Sequence, residues 1–122
     1  MKVDLEVYSQ SGLQIFQNAL KFAVRMEHGF LGSEHLLWAL AKEGGGAARL
    51  LKEHGLDDKL VEEYIRRYDG SAAGVKARAI QISGEADEVL GRAQDEAKAR
   101  GHEKTGPEDI LAGILATAEC AA

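Results

Sequence analysis

Glu34 and Glu108 are the residues of this chain best placed to do chemistry. They stand 74 positions apart, each in the first turn of a segment that reads as a helix. A helix N-terminus offers unpaired N–H groups and a partial positive charge, so a carboxylate there is stabilising in itself. The same arrangement can also bind: the carboxylate grips a guanidinium while nearby amides hold a phosphate attached to it. For Glu108 the structural reading has a pattern behind it. Thr105-x-x-Glu108 has the spacing of a capping box, and Pro107 removes one amide donor. For Glu34, with Ser33 beside it, both readings stay open.

Other candidates are weaker. His28 and His102 also repeat, just after a long helical segment, but His-Glu-x-x-His is absent and no third or fourth metal ligand has suitable spacing. Bonding to helix-terminal carbonyls, or packing in the turn, suits them and His35 better. His54 before Gly55 fits a cation at a helix C-terminus. Gly44-Gly45-Gly46 has neither the lysine nor the preceding strand of a P-loop and reads as a tight connection. Trp38 fits a core position; partly exposed, it would mark a protein contact. Tyr64, Arg66, Arg67 and Tyr68 form a small basic–aromatic cluster that reads as a solvated helix end. Cys120 has no positioned base nearby and reads as inert.

These residues sit in a pattern written twice. Tyr8 to Ala41 aligns without a gap onto Ile82 to Leu115: Ser9 on Ser83, Ala19 on Ala93, Ala23 on Ala97, His28 on His102, Gly32 on Gly106, Leu37 on Leu111. Each copy predicts a long helix capped by serine, a short Gly-containing turn and a second helix, with Ser33 capping the second helix of repeat one. Leu13, Phe16, Leu20 and Ala23 form the apolar stripe of the first helix, which Ile15, Phe22 and Val24 widen. Repeat one continues through a helix carrying Leu50 and Leu51, a left-handed cap at Gly55, and a fourth helix from Asp57 or Asp58 with Leu60, Val61, Tyr64 and Ile65 inward.

The resulting expectation is an all-α domain spanning 1–122, with two tandem four-helix-type repeats and pseudo-twofold symmetry. Repeat one covers 8–68, a linker 69–82, and a truncated repeat two 83–122; the missing cover for the apolar face of 107–118 suggests a fragment of something longer. One proline in 122 residues leaves helices uninterrupted, and 45% hydrophobic residues suffice for a core. A net charge of −5 argues against nucleic acid. No apolar run approaches a membrane span, and no signal-peptide core or cysteine pair appears, so a cytoplasmic address is expected.

Ala19-x-x-x-Ala23, His28 and the run Gly32-Ser33-Glu34-His35-Leu36-Leu37-Trp38-Ala39-Leu40 resemble the repeat of the Clp amino-terminal domain. Glu43 to Leu51 resembles that family's next segment, and Ala93, Ala97, Gly101-His102 and Gly106 to Leu111 its second repeat. The likeness is nearest to the Clp unfoldases of Gram-positive bacteria. It implies a non-catalytic regulatory module preceding two ATPase modules of a hexameric unfoldase, which feeds a barrel-shaped protease. ATP would be the cofactor of those downstream modules, with none in this chain. The implied partners are adaptor proteins and protein substrates. The implied binding residues are Ser33, Glu34 and Glu108, through phosphoarginine on substrates, and Trp38 is a candidate adaptor contact. Asp109 in place of a second histidine, and Pro107 in place of Thr or Ser, depart from the family pattern. The alternative is a stand-alone helical interaction protein regulating the same machine in trans.

Overall fold

The computed structural model describes residues 5–26, 28–43, 45–68 and 81–121. Helix α1 (Gln10–Arg25) begins at Ser9, whose hydroxyl accepts the Gly12 amide at 3.0 Å. Helix α5 (Gly84–Ala99) begins at Ser83, whose hydroxyl accepts the Ala86 amide at 3.1 Å. These N-caps each satisfy one otherwise unpaired amide of the first turn. Both helices run 16 residues and stop at matching positions, Met26 and Arg100. Repeat one continues with β1 (Phe30–Leu31), α2 (Ser33–Glu43), α3 (Gly46–Glu53) and α4 (Asp58–Tyr68). The second copy has β2 (Gln81–Ile82) before α5 and α6 (Pro107–Ala121) after it. Asp57 opens α4, its carboxylate accepting the Leu60 amide at 2.8 Å, and Gly55, with φ of 82°, terminates α3 as expected.

The repeats are joined by exchange. The segment entering each long helix pairs in parallel with the segment leaving the other repeat's long helix: Leu31 with Ile82, and Tyr8 with Thr105. Under the offset of 74, Tyr8 corresponds to Ile82 and Leu31 to Thr105, so the two pairings are one contact repeated by the pseudo-twofold. The Ser9 amide donates to the Thr105 carbonyl at 2.9 Å and the Ser83 amide to the Leu31 carbonyl at 3.0 Å. Backbone groups this close to a core need partners, and here each repeat finds them in the other.

Helix α2 packs against α1, α3, α4, α5 and α6. That central position explains why His35, Leu36, Trp38, Ala39 and Leu40 are all buried, with no wholly polar face. Small residues set the spacing of the second helix pair. A side chain at Gly113 would run into the Val89 carbonyl and the Ala93 backbone, so α6 lies close on α5. The core runs through both repeats, from Tyr8, Ile15, Phe16 and Phe22 to Val89, Leu90, Ile110 and Leu111.

Several apolar residues expected inside are outside. Val24 is 58% exposed: it borders Leu20 at one edge of the stripe, while the core covers the other edge, where Ile15, Ala19 and Phe22 are buried. Leu60 and Tyr64 of α4 are also exposed, while Val61 and Ile65 of that helix turn into the core. Leu115 is exposed too, and so is Leu50, for which no inward position was expected. Of the linker's apolar residues, Ile82 packs against the core, while Val75, Ala79 and Ile80 lie outside the described residues.

Candidate functional site

The starts of α2 and α6 are built alike, but not by the residues expected. Ser33 does not cap α2: it is the first helical residue, and Gly32 is the cap, its carbonyl accepting the His35 and Leu36 amides. The reciprocal contact comes from His35, whose Nδ1 accepts the Gly32 amide at 2.8 Å. In α6 the pair is Gly106 and Asp109, with Oδ2 accepting the Gly106 amide at 3.0 Å. The capping box is therefore Gly106 to Asp109, one residue later than Thr105-x-x-Glu108. Thr105 instead serves the inter-repeat pairing with Tyr8. Both capping side chains sit at the third helical position, where a side chain reaches back to the cap amide.

The glutamates next to these capping residues go different ways. Glu34 is half-buried and curls back over Gly32, where any larger residue would collide with its carboxylate; its Oε1 lies 3.6 Å from His35 Nδ1. It also borders a groove of about 560 Å³ lined by Leu37, Leu56, Leu60, Val61, Tyr64 and Arg67. Glu108 is exposed and leans toward Gly46 at the start of α3. The two are equivalent in sequence but not in surroundings. The Ser33 hydroxyl is taken as well: it donates to Glu85 in the first turn of α5.

Behind each helix start a histidine meets the capping side chain. In repeat one, His28 Nδ1 and His35 Nε2 are 2.8 Å apart and both rings are buried. The Gly32 amide can only donate, so His35 Nδ1 must accept and its proton sits on Nε2. That proton points to His28 Nδ1, which leaves the His28 proton on Nε2, a buried atom with no partner among the described residues. His35 is neutral: burial, reinforced by the neighbouring His28, lowers its pKa from 6.5 to about 4. The same two positions in repeat two hold His102 and Asp109, with Nδ1 to Oδ2 at 3.0 Å, and there the imidazole is 43% exposed on its side chain. The histidines thus order the turns, as expected. Among the described residues no cluster of three or more His, Cys, Asp or Glu side chains could hold a metal.

Trp38 is buried, with 5% exposed, and stacks on Phe22 with ring centroids 3.9 Å apart and planes 7° off parallel. Its edge still lines a surface pocket shared with Lys21, Arg25 and Lys42. Neither the helix-start role of His35 and Asp109 nor this cationic rim was read from the sequence. The i, i+3 spacing from each turn glycine could have shown the first; the rim needs residues from two helices. In the basic–aromatic cluster, Arg66 pairs with Glu62 and Arg67 with Glu63, each at 3.0 Å one turn away. The side chains of Tyr68 and Cys120 lie outside the described residues. No helix among the described residues is long and apolar enough to cross a membrane.

The exchanged pairings and twin helix starts define a class, the internally duplicated all-α repeat domain. The chain belongs to the Clp repeat (R) N-terminal domain family, whose model matches residues 7–122. It is 32% identical over 115 residues to the chloroplastic chaperone protein ClpC of Pisum sativum, covering 93% of this chain and 12% of that protein. It is 35% identical over 98 residues to the chaperone protein ClpB of Oceanobacillus iheyensis, covering 80% of this chain and 12% of that one. Among solved structures, the Hsp104 N-terminal domain from Candida albicans superposes with a TM-score of 0.74 at 18% identity, over 88% of this chain and 73% of that one. That likeness speaks for the fold. The chain spans about an eighth of the length of the curated relatives it matches.

Proposed function

We propose that this chain is the docking domain of a Clp-type ATPase, receiving adaptors and protein substrates and holding them near a cytoplasmic hexameric unfoldase that feeds a barrel protease. ATP binding and hydrolysis would belong to modules outside these residues. The observation that carries the reading is the family match across 7–122, in proteins about eight times longer. Docking of this kind acts by raising local concentration rather than by chemistry. In the whole protein, deleting residues 1–122 is expected to spare ATP hydrolysis and to abolish adaptor-dependent client degradation. Unimpaired degradation would remove the reading.

Within that function, Glu34 is the residue we assign to phosphoarginine, and Glu108 is not its equal. Glu34 lies beside the amides of the α2 start and at the mouth of an apolar groove that could take the flanking peptide. Glu85 opposes the phosphate half of such a grip, because its carboxylate already occupies the Ser33 hydroxyl. Titration with phosphoarginine is expected to show affinity falling at least tenfold in Glu34→Ala, unchanged in Glu108→Ala, and rising in Glu85→Gln, where an anion is replaced by a neutral acceptor. Equal losses in the two glutamate variants would show that the sites are equivalent after all.

A further inference from the structure

The pocket between α1 and α2 holds about 230 Å³. That is below the usual range for a cofactor site and suits a few side chains of a peptide. Its floor is the Phe22–Trp38 stack, and its rim carries three cations. Arg25 lies 5.1 Å from the Phe22 ring centre and 5.5 Å from that of Trp38, and the Lys42 ammonium 4.9 Å from Trp38. Lys21 stands one turn before Arg25 on the same helix. The aromatic faces hold the long cationic stems in place, so less freedom is lost when an anion arrives. Among the described residues the one carboxylate lining the pocket, Glu43, accepts a hydrogen bond from Asn18. Glu62, half-buried, reaches the exposed Arg25 only at 3.9 Å, a geometry that leaves the guanidinium open to a better partner.

The duplication supplies an internal control. At the positions of Lys21, Phe22, Arg25, Trp38 and Lys42, repeat two has Asp95, Glu96, Ala99, Ala112 and Ala116. The second copy forms its helix pair without a single one of these groups, so the three cations are not a requirement of the repeated fold. A cluster of three cations is also against the trend of a chain whose net charge is −5.

We propose that this pocket docks an acidic peptide segment of a partner protein, its carboxylates on Lys21, Arg25 and Lys42 and an apolar side chain against the Phe22–Trp38 edge. The proposal rests on the docking reading above and places a second contact on repeat one, separate from Glu34. Trp38 is the only tryptophan and reports on the pocket directly. The probe is a labelled twelve-residue peptide alternating Glu and Leu, with its Lys–Leu counterpart as control.

The acidic peptide is expected to bind saturably, to change Trp38 emission, and to weaken with added salt. Its affinity should fall at least tenfold in the Lys21→Glu/Lys42→Glu variant and also in Arg25→Glu. All three side chains are exposed, and unchanged thermal unfolding of the variants would show the fold intact. Absence of binding, equal binding of the basic peptide, or full affinity in the charge-reversed variants would overturn the proposal. Phosphoarginine titrated in parallel separates the two readings. Its retention, with no acidic-peptide binding, sinks this pocket alone. Deletion of 1–122 without effect on client degradation, alongside intact acidic-peptide binding, sinks the docking role alone.

Discussion

Acidification from pH 7 to pH 4 is expected to cost this domain on the order of 3 kcal/mol through His35 alone. The imidazole is fully buried, its Nδ1 is committed to the Gly32 amide and its Nε2 proton to His28. A further proton has nowhere to go without breaking the cap of α2 or placing two N–H groups face to face. The folded protein therefore resists protonation until about pH 4, whereas the unfolded chain takes the proton at 6.5. Between those values the unfolded state binds more protons, so stability is fully present above 6.5, falls as pH drops through the window, and levels off below about 4. Glu34 Oε1 at 3.6 Å favours the charged ring, but burial and His28 outweigh it. Urea unfolding at a series of pH values measures the slope. Gln in place of His35 offers an acceptor to Gly32 and a donor to His28 but does not titrate. In His35→Gln the slope in this window should flatten; an identical slope in both proteins would rule out His35 as its source. Asp109 holds the equivalent place in repeat two, so no histidine stands at the start of α6.

Phe22→Ala is expected to destabilise the domain by roughly 3–5 kcal/mol, the range for deleting a large buried aromatic side chain. Phe22 is fully buried, lies flat on Trp38 at 3.9 Å and meets the His35 ring edge-on at 5.9 Å. Its removal opens a cavity between α1 and α2 that Trp38, held under Arg25 and Lys42, cannot readily fill. Thermal unfolding should show the loss, with Phe22→Leu costing much less because most of the volume is kept. A loss below about 1 kcal/mol for the alanine variant would mean that the helices close over the gap. The matching residue of repeat two, Glu96, faces solvent enough to pair with Arg100 at 3.5 Å. The same site in the repeat is core in one copy and surface in the other, because Trp38 wedges α1 from α2 while Ala112 and Gly113 let α6 settle on α5.

Much of the helical framework was legible in the chain. Ser9 and Ser83 announced the starts of the long helices, Gly55 and Gly101 the stops of α3 and α5, and the alanine pairs 19/23 and 93/97 the close-packed faces. These signals are local: a cap or a left-handed glycine acts within one turn. Errors came where two elements had to meet. Leu60, Tyr64 and Val24 have helical spacing but point away from the core, since periodicity gives a stripe without saying how wide a partner covers it. Ser33 beside a helix resembled a cap, and Thr105-x-x-Glu108 a capping box, because turn residues of similar type lie one place apart.

By itself the sequence determined the duplication, the order of helices and the membership in the Clp repeat family, because periodic burial and capping are written residue by residue. Only the tertiary structure decided how the copies join. The exchange of Leu31 with Ile82 and of Tyr8 with Thr105 pairs backbone groups, which carry no sequence signature. It also separated Glu34 from Glu108 and gathered Lys21, Arg25 and Lys42 over one aromatic stack. Side chains from different helices meet there through packing, and packing depends on the volumes of every neighbour at once.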